Sequence, residues 1–335
     1  MIIRDDEKRI FKVASIVTGI AILFIIFSSI FPRSGYAAVP LAGSDGSHNH
    51  VTFGDVYFDG YSRVEFHSDG YYNGYTFTGL TSGANVYEIQ PGKLRHVSEM
   101  IADLGSIKAL IASGTSTNNS VVYRRDHFKS QIWGEGLLKA PLGATLYSTH
   151  YVTYGSTTKS MNTDAYLAFQ PSWPLPFSAD SEITVMGEDQ VVIQGEKWIP
   201  AVATNGSLGI IDKSQYEEIL KDSVTQSSSD ALSDQAEYNA TFSEAIKSEA
   251  LNKYSEVIQE EDIANILRDD VIREGEDREN ESDITESIGS VLNNNLQYEE
   301  IDDLVKEARY LAGIKVPVYD FDGESVIGEF VIDIR

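Results

Sequence analysis

Residues 315–330 read KVPVYDFDGESVIGEF. Asp320 and Asp322 stand two apart, followed by Gly323 and Glu324. An EF-hand calcium loop needs oxygen ligands at positions 1, 3 and 5, glycine at 6 and glutamate at 12, between two helices. Here glycine is fourth from Asp320, and β-prone runs flank it, IKVPVY before and SVIGEFVIDI after. Asp-Gly between such runs is a hairpin signal, so Val316–Tyr319 is expected to pair with Val326–Ile332. AVATNGSLGIID (201–212) carries a second hairpin signal, Asn205-Gly206, two residues that accept the positive φ of a tight turn. The two hairpins are expected to join in a small antiparallel sheet.

The zone between them, about 213–311, is acidic and helical in pattern. From Asp212 to Tyr310 there are 27 acidic and 9 basic residues, which supplies 18 of the 25 net negative charges. Phe242, Ile246, Tyr254 and Ile258 recur at helical spacing, as do Ile263, Ile266, Leu267 and Val271. Ile284, Ile288, Val291 and Leu292 form a further set, and Ile301, Leu304, Val305 and Ala308 a last one, with Gly313 as the expected C-cap. EGEDRENESD (274–283) has no apolar residue and reads as a loop.

Toward the N-terminus, residues 39–176 are rich in Gly, Tyr, Ser and Thr. VTFGDVYF (51–58), YYNGYTFTGL (71–80), SIKALIAS (106–113), SVVYRRDHF (120–128), TLYSTHYVTY (145–154) and DAYLAFQ (164–170) read as strands, and together as a β-sandwich-like domain. GKLRHVSEMIADLG (92–105) spaces Leu94, Val97, Ile101 and Leu104 as a short helix would. PSWPLPF (171–177), with three prolines, reads as a linker or domain edge.

At the start of the chain, Arg4, Lys8, Arg9 and Lys12 precede 19 uncharged residues, Val13 to Phe31. That is about 28 Å of helix, close to the hydrocarbon thickness of a bilayer. Gly35 and Ala37 sit at the −3 and −1 positions of a cut after Ala37. Residues 1–38 therefore read as a signal peptide or an N-terminal membrane anchor, with the N-terminus cytoplasmic and the rest outside. Domains are expected at 39–176 and 177–335, the second an α+β unit whose small sheet is interrupted by the acidic helices. If uncleaved, residues 10–31 are the expected contact with the membrane.

AVATNGSLGIIDKSQYEEIL (201–220) followed by IKVPVYDFDGESVIGEFVIDI (314–334) resembles the C-terminal module of uncharacterised secreted proteins of Gram-positive bacteria. The pattern rests on Asn205-Gly206, Gly209, Pro317, Val318, Tyr319, Asp320, Asp322, Gly323, Val326, Ile327, Gly328 and Phe330. Ile210 stands where an aromatic is usual, and the stretch between the halves is longer here. LGSIKALIAS, VVYRRDHF and ATLYSTHYVTYG resemble the N-terminal β module of such proteins by strand and turn order. The resemblance implies export and a two-part architecture. It implies no activity.

Composition excludes much chemistry. There is no cysteine, hence no disulfide, thiolate nucleophile or iron–sulfur cluster. A net charge of −25 disfavours nucleic acid and anionic lipid surfaces. No G-x-S-x-G elbow, P-loop or strand-borne G-x-G-x-x-G occurs. STTK (156–159) fits S-x-x-K but lacks a K-T-G partner, and reads as part of a Ser/Thr-rich turn. The metal candidates are His48 and His50, which share a face if extended, with His67; His96, His127 and His150 are further histidines. Tyr57, Tyr61, Tyr71, Tyr72, Tyr75, Trp133, Trp173 and Trp198 would make a sugar-binding face if gathered. Otherwise they fill cores and cross-strand pairs.

No catalytic residue and no cofactor is assigned. The expected function is that of an exported, non-enzymatic cell-envelope or extracellular interaction protein, with the acidic helices as a surface for a protein or cell-wall partner. The alternatives are a metal-dependent or glycan-acting extracellular enzyme and an anchored extracytoplasmic sensor.

Overall fold

A computed structural model describes residues 40–67, 70–83, 85–105, 107–134, 142–170, 197–254 and 298–334, the side chains of 254 and 298–303 excepted. The N-terminal apolar run, PSWPLPF, Trp173 and the apolar sets at 258–292 lie outside the described residues. Strands dominate and helices are few, so the chain is mainly β with an α+β part.

The first sheet has the order β1 (Pro40–Phe53), β2 (Val56–His67), β3 (Tyr72–Ser82), β8 (His127–Gly134). The second runs β10 (Thr157–Ala168), β9 (Gly143–Tyr154), β5 (Leu94–Asp103), β6 (Lys108–Thr117), then β11 (Trp198–Val202), β12 (Leu208–Asp212), β13 (Ile314–Tyr319) and β14 (Val326–Ile334). A two-stranded ribbon, β4 (Glu88–Ile89) with β7 (Val122–Tyr123), completes the strands. Helices α1 (Lys213–Thr225), α2 (Ser228–Tyr254) and α3 (Tyr298–Ala312) fall between β12 and β13.

The small antiparallel sheet expected at the C-terminus is instead a closed barrel. One edge of β6 pairs with β5 along its length. Its other edge takes β11 at Leu110 and β14 at Ser113–Thr115, both in parallel. Strands β6, β11, β12, β13 and β14 thus close on themselves, and β6 belongs both to the barrel and to the sheet facing β1-β2-β3-β8. Local hairpin signals cannot announce this, because parallel pairing joins segments far apart in sequence.

Both hairpins form where expected. Val202 pairs with Leu208, and Gly206 takes φ +82° after a turn closed from Gly206 N–H to the Ala203 carbonyl. Gly323 takes φ +72°, Val316 pairs with Phe330, and Ile210 meets Tyr319 across β12 and β13.

Four local expectations are corrected. Residues 94–103 are a strand, not a helix: Leu94, His96, Ser98, Met100 and Ala102 all point inward. The alternation is masked in sequence because two of the five inward residues are polar. VTFGDVYF is not one strand but a hairpin, with Gly54 at φ +67° between Phe53 and Val56. SVVYRRDHF is not one strand either: β7 ends at Tyr123 and β8 begins at His127, with Arg125 at φ +82° between them. Gly313 ends the helix as expected, its N–H donating to the Arg309 carbonyl (2.8 Å), but without positive φ: a Cβ there would stand 2.3 Å from Val331 Cγ1, so glycine is favoured by close approach to β14.

Cores follow the sheets. Val64, Phe66, Tyr72, Met100, Ile132 and Leu146 fill one end between them, and Phe58, Leu80, Leu94 and Val152 the other. Leu110, Ile211, Val318, Phe330 and Ile332 pack the barrel, joined by Tyr216 of α1. Phe242 and Ile246 of α2 pack on Leu304, Val305 and Ala308 of α3, as the helical spacing requires. At the open edges, β1 is sealed onto β10. Ser47 Oγ donates to Asp164 Oδ1 (2.6 Å) and accepts from Asp164 N–H (2.8 Å), and Asn49 donates to the Asn162 carbonyl (3.1 Å). Covering both edges this way removes a template for strand addition.

Tyr72 is fully buried and its hydroxyl has no hydrogen-bond partner among the described residues. A buried unsatisfied hydroxyl costs about 1–3 kcal/mol. Tyr72→Phe is therefore expected to raise stability by about 1 kcal/mol, read as a higher urea midpoint. A lower midpoint would show that the hydroxyl is satisfied.

Candidate functional site

The outer face of the first sheet gathers many of the residues singled out in sequence. One row across three strands is His48, Tyr61 and Phe77. Their rings stack, His48 on Tyr61 at 4.9 Å and Tyr61 on Phe77 at 4.4 Å, with interplanar angles of 19° and 9°. His50 stacks on Tyr57 at 4.9 Å. His127 meets the edge of Tyr61 and lies 3.6 Å from Asp59. Burial opposes ionisation of Asp59, but hydrogen bonds from His127 and Thr81 outweigh it and hold the carboxyl below its usual range. At the far end Glu65 is held low by His67 first and, against some burial, by Arg63.

His48 and His50 share a face, as an extended strand dictates, but His67 is not brought to them. It lies six residues along β2 from Tyr61, the partner of His48, which is roughly 20 Å of strand. Among the described residues, no three His, Asp or Glu side chains converge so as to hold a metal ion.

Of the eight candidate aromatics, Tyr57, Tyr61, Tyr75 and Trp133 share this outer face. Tyr71 and Tyr72 are buried, and Trp198 lies in the barrel against Tyr319. The ring faces are largely taken. Tyr61 is sandwiched between His48 and Phe77, Lys129 Nζ lies 4.9 Å over Tyr75, and Arg309 of α3 lies 4.9 Å over Trp133. Such cross-strand stacking stabilises a sheet.

His96 and His150 do meet, between the two sheets. Hydrogen bonds link Ser130 Oγ with His96 Nδ1 (2.7 Å), His96 Nε2 with Thr78 Oγ1 (2.8 Å), Thr78 Oγ1 with His150 Nδ1 (2.7 Å), and His150 Nε2 with Thr163 Oγ1 (2.7 Å). Thr163 continues to Ser62. The chain crosses from sheet to sheet, and beside it Thr76 bonds Ser98 (2.8 Å) and Ser148 (2.7 Å). A neutral imidazole offers one donor and one acceptor, which suits each ring's two hydroxyl neighbours. Burial pushes His150 down to about 4, against a smaller pull from Asp59. Burial, then the neighbouring His150, pushes His96 well below the ordinary value. Gly60 makes the room: a Cβ there would stand 2.9 Å from His150 Nδ1. Neither ring is open to a substrate. The inward polar alternation in 94–103 and 145–154 is the sequence signal that marks this chain.

The outer face of the second sheet is half covered by helices. Tyr216 of α1 donates to Glu99 Oε1 (2.6 Å) and accepts from Ser113 Oγ (2.8 Å), and burial followed by the Glu99 charge raises its hydroxyl well above the usual value. Arg95 donates to the Ser223 and Val224 carbonyls at the end of α1, where a cation suits the helix dipole. A cleft of about 20 Å³ lies among Ser113, Trp133, Thr204, Phe330 and Asp333, room for about one water. In the 320–323 turn, Asp322 accepts from Glu324 N–H (2.8 Å), Ser325 N–H (2.9 Å) and Ser325 Oγ (2.7 Å), and these bonds lower its pKa. Asp320 accepts from Phe321 N–H (2.7 Å). Both carboxylates thus serve the hairpin.

No protein-family model matches the chain. No curated protein matches it in sequence either.

Proposed function

We propose that this protein is an exported cell-envelope or extracellular interaction protein that acts by binding rather than by making or breaking bonds. The observation that carries this is the engagement of its reactive-looking groups. His96 and His150 are sealed in a hydroxyl chain, His48 and His50 lie on tyrosine rings, and Asp320 and Asp322 hold a turn. Export rests on the basic residues before the 19-residue apolar run and on the small residues before Ala38. The facing sheets are read as sandwich-like, with the second continued into the barrel. The resemblance to secreted Gram-positive proteins agrees with this reading, and the acidic helices remain the candidate surface for a protein or cell-wall partner.

The test is expression of the full chain, and of a chain lacking residues 1–38, in a Gram-positive host. The full chain is expected outside the cytoplasm, and N-terminal sequencing of released protein is expected to begin at Ala38. The truncated chain is expected inside the cell. Full-length protein found in the cytoplasm would overturn the proposal. An exported chain that keeps Met1 would select the anchored form.

A further inference from the structure

The half of the second sheet's outer face that the helices leave open has a regular chemistry. Along β9 the outward residues alternate, Thr145, Tyr147, Thr149, Tyr151, Thr153. In register beside them on β10 stand Tyr166, Asp164, Asn162, Ser160 and Thr158. Tyr147 and Tyr166 are 44% and 47% exposed, and no described helix covers them. Neither these two rings nor Tyr151 stacks on another aromatic ring, in contrast to the ladder on the first sheet. Tyr166 lies down across β9. A Cβ on Gly143 would stand 2.7 Å from its hydroxyl oxygen and 2.8 Å from Cε2, so the missing side chain of Gly143 lets the hydroxyl end of the ring rest on the sheet while the side chain stays half exposed.

The face carries little charge on a chain of net charge −25. Its one carboxylate, Asp164, is engaged by Ser47. At its border Glu99 is engaged by Tyr216 and Arg95 by the α1 carbonyls, and Lys93 stands beside Thr153 at one end. What remains is hydroxyl and amide donors and acceptors between flat rings about 13 Å apart along β9, for Tyr147 and Tyr151. A pyranose has the matching chemistry: an apolar C–H face for a ring and equatorial hydroxyls for Thr, Asn and Tyr. An anionic polymer lying along the strands would meet the Asp164 carboxylate.

We propose that the β9–β10 face, centred on Tyr147, Tyr151 and Tyr166 with Thr145, Thr149 and Asn162, binds a neutral glycan chain lying along the strands. This rests on the interaction-protein reading above and names its ligand class.

The experiment is calorimetric titration of the full chain, in a detergent without a sugar headgroup, with cellohexaose, chitohexaose and mannohexaose, and with the hexamer of galacturonic acid as the anionic control. At least one neutral hexamer is expected to bind and the anionic one not. Tyr166→Ala and Tyr147→Ala are each expected to weaken binding at least tenfold, and Tyr166→Phe to retain most of it, since the ring rather than the hydroxyl stacks. Tyr57→Ala on the first sheet is expected to leave affinity unchanged, and thermal melts would confirm that each variant folds. Failure of all three neutral hexamers, equal binding of the anionic hexamer, or indifference to Tyr166→Ala and Tyr147→Ala would overturn the assignment. An exported chain that binds no sugar overturns the glycan alone, whereas a chain retained in the cytoplasm overturns the reading beneath it.

Discussion

Acidification from pH 7 to pH 4 is expected to remove several kcal/mol of folding stability, through His96 and His150. In the folded state both imidazoles are held neutral between the sheets, His150 with a value near 4. In the unfolded chain a histidine titrates near 6.5. Between those values the unfolded state binds protons that the folded state refuses, so stability falls as pH drops. Each such histidine contributes a slope of about 1.4 kcal/mol per pH unit. For His150 the window is pH 6.5 down to about 4, a loss of about 3 kcal/mol; His96 adds to it with the same sign. The contribution is fully present above 6.5 and absent once the folded-state groups protonate. Urea unfolding at pH 7.0, 5.5 and 4.5 measures it. In His150→Gln the stability at pH 7 falls, because the hydroxyl chain is disturbed, but the slope between 6.5 and 4.5 is expected to flatten by about 1.4 kcal/mol per unit. An unchanged slope in that variant would sink the assignment.

Gly209→Val is expected to cost about 3 kcal/mol or more and to open the barrel. A Cβ at Gly209 would stand 2.2 Å from the Tyr319 carbonyl oxygen and 2.8 Å from both Val318 Cγ1 and Ile327 Cδ1. The nearest of these is backbone, which no rotamer change can move aside. Overpacking against mobile side chains costs about 1–3 kcal/mol, and a clash with a paired strand lies at or beyond the top of that range. The seam is thin: Ile210 to Tyr319 is the register pair between β12 and β13. Trp198, whose ring lies 5.6 Å from Tyr319, is a fluorescent reporter of it. A urea midpoint within 0.5 kcal/mol of the parent, by the linear-extrapolation convention, would refute the close approach. Gly209 was notable in sequence only as part of a resemblance; the β12–β13 contact supplies its physical reason.

Some elements were legible because their signals are local. Asn205-Gly206 and Asp322-Gly323 mark hairpins through backbone conformation alone, and Phe242, Ile246, Leu304, Val305 and Ala308 mark helix faces through spacing. The strand at 94–103 was not, because a fold that buries His96 and Ser98 in place of apolar residues erases the hydrophobic period. The Gly54 hairpin was missed because Gly54-Asp55 sits in a run whose apolar and aromatic residues continue on both sides. The aromatic candidates divided in a way that composition cannot foresee. Which faces of which rings stay free depends on the cross-strand neighbour, and register is a tertiary fact.

The candidate site shows the same division. His48 and His50 are two apart in sequence and remained on one face, while His67 was carried about 20 Å away by the strand. The alternation Thr145, Tyr147, Thr149, Tyr151, Thr153 was written in the sequence, but its meaning depended on what covers it. Helix α1 covers the β5–β6 half and leaves the β9–β10 half exposed.

By itself, then, the sequence determined what neighbours along the chain decide: the turns, the helix faces, the acidic balance, the absent thiol chemistry and the expectation of export. The tertiary structure alone decided that β6 serves a facing sheet and a barrel at once, that two histidines meet in a buried hydroxyl chain, and that Tyr166 rests its hydroxyl end over Gly143. The physical reason is common to all three. Each depends on which strands become neighbours across long stretches of chain, and that choice is made by packing and pairing energies that no local pattern of residues records.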